Sequence, residues 1–271
     1  MLFLRASSSR AAIPSRYLLA NRLASTGLGQ KRFYTLAQHK SDRHQLSFVR
    51  GTSVQVGTGQ LVEDSIGTYW DRLIDRHGDR LGVVVKHENN LHWSFRQFGE
   101  QVDSLCRGLY ESGLRKGDRL AVWMPNNSAW PTLQYATAKS GIVLVTLNPA
   151  YRKQELLQTL SLVECKSLVF VPSLKSSNFS QMLLELLPEI EHQSPNQLLT
   201  ANLPSLRQLI VFDNETDVPE TARIKGATKY QDLLIKNPSP TIDEHLQKER
   251  QGITNRDIIN LQFTSGTTGL P

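Results

Sequence analysis

The sequence predicts an α/β protein in which mostly parallel sheets are covered by helices. From residue 65 onward, segments whose apolar residues recur at helical spacing alternate with short β-branched or continuously apolar runs. The connections between these segments are short and are marked by Gly, Pro and Asn. Strand–helix–strand alternation of this kind favours a parallel sheet, because each crossover helix then covers one face of the sheet.

The first predicted elements are a helix over residues 65–77 and a strand pair. The helix carries apolar side chains at helical spacing and ends at Gly78. Residues 81–86 form a short β-branched run, and residues 91–93 are expected to pair with it across the polar turn 88–90.

The second predicted helix begins with a capping box. Ser94 can cap the helix while the side chain of Gln97 reaches back to it. The residues of one face are apolar and are expected to enter the core: Phe98, Val102, Leu105, Cys106 and Leu109. Gly113 ends the helix. Cys106 and Cys165 show no metal-ligand spacing, so both are expected to be small buried residues in a reduced compartment.

The rest of the chain supplies most of the predicted sheet. The predicted strands are 119–124, 142–147, 167–171, 207–212 and 258–263. The predicted helices are 128–140, 153–163, 182–187 and 230–235. A surface insertion is expected at 191–195, an acidic loop at 213–219 and a linker at 237–240. After the 142–147 strand, Asn148 and Tyr151 either line the approach to a site or serve the local Asn-Pro turn.

The net charge of +6 comes from one end of the chain. Seven of the 31 basic residues lie in residues 1–41, which contain no acidic residue, so the rest is close to neutral. This distribution gives no electrostatic reason to bind nucleic acid.

Residues 1–34 are predicted to be a mitochondrial presequence, because they are rich in Arg and Ser, free of acids and interleaved with apolar groups. The sequence at 32–35 is similar to a matrix-peptidase site, with cleavage expected after Tyr34, and the matrix is the expected location. A basic tail without a targeting role is the alternative. Residues 35–64 are interpreted as an N-terminal extension. No apolar stretch approaches the ~18 residues of a membrane span, so no transmembrane segment is expected.

Six consecutive residues after the last predicted strand are small and polar: Thr264, Ser265, Gly266, Thr267, Thr268 and Gly269. Such a loop exposes backbone N–H groups and hydroxyls, and its two glycines let successive amides turn toward one anion. The composition is that of a phosphate-binding loop, although the order differs from the Walker pattern. A flexible polar turn is the alternative.

The order of residues 264–271 is similar to the signature loop of adenylate-forming enzymes. Three further blocks, 113–122, 125–127 and 141–152, resemble stretches that this superfamily carries in the same order. The chain is therefore identified as a member of the superfamily, most similar to acyl-CoA synthetases, with a resemblance that covers residues 65–271. The resemblance implies the N-terminal part of the large adenylate-forming domain, incomplete at Pro271.

The resemblance also implies a two-step reaction. A carboxylate attacks the α-phosphate of ATP with Mg²⁺ present, and coenzyme A then displaces AMP to give a thioester. Residues Thr264 to Gly269 would hold the β- and γ-phosphates, with no metal ligand assigned among them. The implied substrate is a short- or medium-chain fatty acid in a mitochondrial ligase, or alternatively an aryl acid.

The superfamily places its catalytic residues downstream of the position of Pro271. The chain 1–271 alone is therefore expected not to catalyse adenylation. A different class of function is a non-catalytic fragment that binds nucleotide weakly or associates with the full-length enzyme.

Overall fold

The computed structural model describes residues 62–213 and 224–263. Its helices are α1 (Ile66–His77), α2 (Phe95–Glu111), α3 (Ala129–Ser140), α4 (Lys153–Leu162), α5 (Phe179–Leu186) and α6 (Pro240–Gln251). Its strands are β1 (Leu81–Val85), β2 (Leu91–Ser94), β3 (Arg119–Trp123), β4 (Val143–Thr146), β5 (Ser167–Phe170), β6 (Ser173–Leu174), β7 (Ser177–Asn178), β8 (Gln208–Val211), β9 (Ala227–Lys229) and β10 (Asn260–Gln262).

Six of these strands form a sheet in the order β10-β4-β3-β5-β8-β9. Every neighbouring pair in this sheet is parallel. Two small antiparallel hairpins, β1 with β2 and β6 with β7, complete the strand pairing of the described residues. The arrangement confirms the predicted α/β class with a mostly parallel sheet.

The sheet is covered by two separate sets of helices. Helices α1, α2, α3 and α6 contact one another, whereas α4 packs with α5. The crossover from β3 to β4 runs toward one edge of the sheet, and the crossover from β4 to β5 runs toward the other. Right-handed crossovers therefore place α3 and α4 on opposite faces.

The core lies on both faces of the central strands. The fully buried ring of Trp123 in β3 stacks on Phe179 of α5, with ring centroids 3.9 Å apart. In the other set of helices, the Sγ of Cys106 in α2 donates to the carbonyl of Ala136 in α3 at 3.5 Å. Cys106 and Cys165 are both free and buried, as the sequence predicts.

The capping box of α2 is confirmed atom by atom. The backbone N–H of Gln97 donates to Ser94 Oγ at 3.2 Å, and Ser94 N–H donates to Gln97 Oε1 at 2.9 Å. Beyond the helix, Gly113 has a φ of 91°, a conformation that a residue with a Cβ rarely adopts. The helix ends at Glu111, just before the predicted stop.

Helix α6 is the main element that the sequence prediction misses, since it predicts only a linker at 237–240 and nothing before the last strand. Pro240 occupies the first turn of the helix, where its missing N–H costs no intrahelical hydrogen bond. Leu246 is the only buried residue among the described positions of α6. A single buried position leaves almost no apolar periodicity for a sequence pattern to detect.

Three other boundaries differ from the prediction. The 230–235 helix is a single 3₁₀ turn, Tyr230–Leu233. The last strand is only Asn260–Gln262, and Ile258 ahead of it is 65% exposed. The helix expected at 182–187 begins earlier, because Asn178 Oδ1 accepts from the Gln181 N–H at 2.8 Å and caps it. Strands β6, β7 and β9 are too short to show a pattern.

Several predictions concern residues outside the described ranges. These are the presequence 1–34, most of the extension 35–64, most of the acidic loop 213–219 and the loop 264–269. Within residues 62–213 and 224–263, no helix is long and apolar enough to cross a membrane. The same ranges contain no group of three or more His, Cys, Asp or Glu residues placed to hold a metal ion.

Candidate functional site

The strand order creates a switch point at the carboxyl ends of β3 and β4. The connection after β3 leads to α3 on one face, and the connection after β4 leads to α4 on the opposite face. In open parallel sheets, ligands bind where neighbouring connections diverge in this way. The carboxyl edge of β3 and β4 is therefore the part of the fold where a ligand site is expected.

Strand β10, which precedes the predicted phosphate-binding loop in the sequence, ends at this edge. It pairs in parallel with β4 in the register Asn260 with Leu144, Leu261 with Val145, and Gln262 with Thr146. The chain therefore leaves β10 at the same edge at which it leaves β4. Thr264 follows Gln262 after a single residue.

All six predicted site residues lie outside the described residues: Thr264, Ser265, Gly266, Thr267, Thr268 and Gly269. Their role as a phosphate cradle therefore remains a prediction. The described part of the chain fixes the strand that leads into them.

The amino end of α3 lies at the same edge and is capped within the protein. Asn127 Oδ1 accepts from the Trp130 N–H at 3.0 Å. A carboxylate from the turn between β1 and β2 also takes part, since Glu88 Oε1 accepts from the Ser128 N–H at 2.8 Å. A negative charge at this position is favourable because the helix dipole is positive there. No local sequence pattern identifies Glu88 as a cap, since 40 residues separate it from Ser128.

Asn148 stabilises the turn that follows β4. Asn148 Oδ1 accepts from the Ala150 N–H at 2.9 Å, and its carbonyl accepts from the Tyr151 N–H at 3.0 Å. Glu155 Oε2 then accepts from the Arg152 N–H at 2.8 Å, which caps α4. Of the two readings open for Asn148, these bonds favour the turn.

Farther along the carboxyl edge, Tyr230 follows β9 and packs against Phe212, which follows β8, with ring centroids 5.3 Å apart. Burial raises the pKa of Tyr230 far above its ordinary value, while a hydrogen bond with Thr132 partly offsets this. The phenol is therefore neutral at physiological pH. Tyr230 closes this end of the core and offers no charge to a substrate.

A cleft lies at the opposite edge of the sheet. It has a volume of about 250 Å³ and is lined at the amino ends of β3, β5 and β8 by Arg119, Lys166 and Arg207, among others. Lys166 pairs with Asp118 at 2.7 Å, and Arg119 pairs with Glu164 at 3.1 Å. Two of the three cations are thus already paired, and the cleft is remote from the switch point.

Comparison with known proteins identifies the family. The AMP-binding enzyme family matches residues 70–271. The chain belongs to this family. The match runs through β10 and the whole of the predicted loop, and it confirms the resemblance to adenylate-forming enzymes.

Relatives of this AMP-binding protein are named as acyl-CoA ligases. The mitochondrial medium-chain acyl-CoA ligase ACSF2 of Mus musculus is 36% identical over 226 residues, which are 83% of this chain and 35% of the relative. The putative acyl-CoA synthetase YngI of Bacillus subtilis is 33% identical over 216 residues, 78% of this chain and 37% of the relative. The chain thus spans about a third of the length of these relatives.

The fold is shared with a solved structure of an anthranilate CoA ligase, AuaEII, in complex with anthranoyl-AMP. The TM-score is 0.53 at 17% sequence identity, over 78% of this chain and 33% of that chain. At this identity the likeness concerns the fold alone. It agrees with the parallel sheet and its covering helices.

Proposed function

We propose that this chain supplies the phosphate-binding loop of an AMP-forming acyl-CoA ligase that acts on a short- or medium-chain fatty acid. The observation that carries the proposal is the family match over residues 70–271, which includes both β10 and the loop. The medium-chain specificity named for ACSF2 supports the choice of substrate.

The chemistry that the loop would perform follows from its composition and its starting point. Strand β10 ends beside the carboxyl end of β4, next to the switch point, and residues 264–269 follow it in the sequence. Their amides and hydroxyls would be donors to the β- and γ-phosphates of ATP. Donors fixed before the reaction stabilise charge that builds on the leaving pyrophosphate, without reorganisation during the step.

The proposed reaction also needs a metal ion and a thiol that accepts the acyl group. Mg²⁺ would neutralise part of the charge on the phosphates of ATP, and coenzyme A would accept the acyl group. The catalytic residues and the acyl pocket are expected downstream of Pro271.

The experiment is thioester formation by the full natural chain with ATP, Mg²⁺ and coenzyme A. A series of straight-chain fatty acids is compared with benzoate-type acids, and the products are separated by chromatography. The proposal predicts a maximum among the short or medium fatty acids. A maximum with the aromatic acids would assign an aryl-CoA ligase. Nucleotide binding without thioester or pyrophosphate release would assign the non-catalytic alternative.

The proposed location is the mitochondrial matrix. The acid-free basic segment 1–34 supports it, and so does the mitochondrial location named for ACSF2. A fluorescent protein fused to residues 1–40 is expected to enter mitochondria and to lose residues 1–34, so that N-terminal sequencing starts at Thr35. Cytosolic fluorescence with an intact N-terminus would refute this location.

A further inference from the structure

Strand β10 is the element that leads into the predicted loop 264–269. It contains three residues and, in the described part of the chain, pairs with β4 alone. Besides the strand ladder, the described contacts of β10 include a 3.3 Å bond from Asn260 Nδ2 to Gln134 Oε1. The segment before β10 is also held to the rest of the described fold, by contacts of a lysine side chain.

That anchor centres on Lys116, in the turn between α2 and β3. Its Nζ donates to Asp257 Oδ2 at 2.9 Å and to the carbonyl of Gly252 at 2.5 Å. The same oxygen of Asp257 accepts from the N–H of Thr254 at 2.6 Å and from its hydroxyl at 3.1 Å. Lys116 therefore connects the end of α6 to the residue that lies three positions before β10.

The packing around Lys116 leaves the anchor little freedom. A Cβ added to Gly141 would lie 2.9 Å from Lys116 Cγ and 3.2 Å from Ile253 Cδ1. Gly141 also accepts from the Gly117 N–H at 2.9 Å through its carbonyl. The aliphatic part of the Lys116 side chain thus lies where three turns meet: 115–118, 140–142 and 252–257.

The helix before the anchor is itself tied to α2. Arg107 donates to Asp243 Oδ1 at 2.8 Å, and Arg250 lies 3.4 Å from Asp103. Because these pairs hold α6 against α2, the Lys116 contact ties the segment before β10 to the helices of this face. Side chains placed by such supporting contacts set the geometry of a site without touching the ligand.

We infer that Lys116 is a positioning residue for the loop 264–269, and that it acts through Asp257 and β10. The inference rests on the proposed function, because it takes that loop to be the ATP phosphate site. Loss of the anchor releases the segment 252–257 that leads into β10, and this disturbs the chain where it enters the loop. ATP should then bind less well, while the affinity for the fatty acid should change little.

The test compares Lys116→Met with Lys116→Arg in the full natural chain. Lys116→Met is expected to raise the KM for ATP about five- to tenfold, given that small misplacements of positioning groups cost large factors in rate. The KM for the fatty acid should stay within about twofold, because the proposed role of the loop is to hold the phosphates of ATP. Lys116→Arg keeps the charge and should restore most of the ATP affinity.

Lys166→Met provides a matched control. Lys166 also bonds one carboxylate, Asp118 at 2.7 Å, and one carbonyl, that of Gly113 at 2.9 Å. Its side chain is 35% exposed, against 36% for Lys116, but it lies beside β5, on the side of β3 away from β10. Equal effects of the two Met variants on the KM for ATP would overturn the inference, because both would then report only a loss of stability.

Hydrogen exchange separates the inference from the proposed function. Amides of residues 258–270 should exchange faster in Lys116→Met than in the wild type or in Lys166→Met, whether or not the chain has ligase activity. Unchanged exchange in this segment would overturn the positioning role. Absence of ATP-dependent thioester formation in the wild type, with the exchange difference present, would instead refute only the proposed function.

Discussion

Lys139 of α3 lies 2.7 Å from the carboxylate of Asp103 in α2, although its side chain is only 3% exposed. It also pairs with Asp71 of α1, and Arg250 of α6 shares Asp103 at 3.4 Å. A buried cation is costly unless charged partners compensate for its lost hydration. One ion network therefore joins all four helices on this side of the sheet.

Removing the shared carboxylate should cost more than removing the cation. Asp103→Ala is expected to lower the free energy of unfolding by roughly 2–3 kcal/mol, less than for a fully buried pair because Asp103 is partly exposed. Lys139→Met should cost less, because Asp71 and Asp103 can be hydrated and Arg250 stays beside Asp103. Urea unfolding of both variants measures the difference. A greater loss in Lys139→Met would contradict the assignment of Asp103 as the shared partner.

Substitution by Ala should destabilise the protein much more at Gly108 of α2 than at Gly99 of the same helix. A Cβ at Gly108 would lie 1.8 Å from the carbonyl oxygen of Leu233, a backbone atom that cannot move alone. A Cβ at Gly99 would meet only the end of the Ile74 side chain, at 2.5 Å. Gly108→Ala should therefore destabilise by about 3 kcal/mol or more, the upper part of the range for overpacking.

Gly99→Ala should lie within about 1 kcal/mol of the wild type, because the better helix propensity of Ala offsets a small rearrangement of Ile74. Thermal and urea unfolding of the two variants test the contrast. Equal losses would show that the 3₁₀ turn at Tyr230–Leu233 does not pack as closely on α2 as the contact indicates.

The capping box makes a smaller but well-defined contribution. Ser94→Ala removes the bond that the Gln97 N–H donates at 3.2 Å and should cost about 1 kcal/mol. Ser128 occupies the same position at the start of α3, but its side chain makes no capping hydrogen bond. Ser128→Ala should thus cost less than Ser94→Ala. The reverse order in urea unfolding would contradict the role of the box.

Much of the fold could be predicted from sequence because its signals are local. The box at Ser94 and the apolar run of β4 each depend on residues close together in the chain. Helix α6 could not be predicted in this way. One buried position, Leu246, gives no period, and α6 is held instead by ion pairs between residues more than 100 positions apart, such as Arg107 with Asp243.

The residues of the proposed site also fall into two groups, those with a local sequence signal and those without one. Residues 264–269 are found from their own composition and order, so a sequence suffices to propose them. Lys116 and Glu88 have no such sequence signal, since a single charged residue in a turn is usually a solvated surface group. Their contacts with Asp257 and Ser128 arise only when the sheet brings distant turns together.

The anchor at Asp257 should give acid-dependent stability. The N–H of Thr254, followed by Lys116, lowers the pKa of the Asp257 carboxyl below its ordinary value. A group whose pKa is lower in the folded state stabilises it above the unfolded pKa, and this contribution is lost as pH falls through the folded pKa. The wild type should therefore exceed Asp257→Asn in stability at neutral pH.

The difference between wild type and Asp257→Asn should shrink toward zero at acid pH, below the ordinary range of about 4 for aspartate. Urea unfolding at a series of pH values measures it. NMR titration of Lys116→Met gives a second check, since the carboxyl pKa should rise but stay below its ordinary value while the Thr254 bonds remain. A difference that does not depend on pH would exclude ionisation of Asp257 as its source.

If residues 264–269 bind the phosphates of ATP, the KM for ATP should depend on the side-chain hydroxyls of the loop. Thr268→Val keeps the shape of the side chain and removes its donor, whereas Thr268→Ser keeps the donor. A hydrogen bond to a charged group contributes about 1.5–3 kcal/mol, so Thr268→Val should raise the KM for ATP roughly 10- to 100-fold. Thr268→Ser should stay close to the wild type. Both variants should unfold at the wild-type urea concentration, because the proposed role of the hydroxyl concerns ATP and not the core. If the two variants share one KM for ATP, the hydroxyl of Thr268 does not bind phosphate, and the cradle must rely on the backbone amides of the loop.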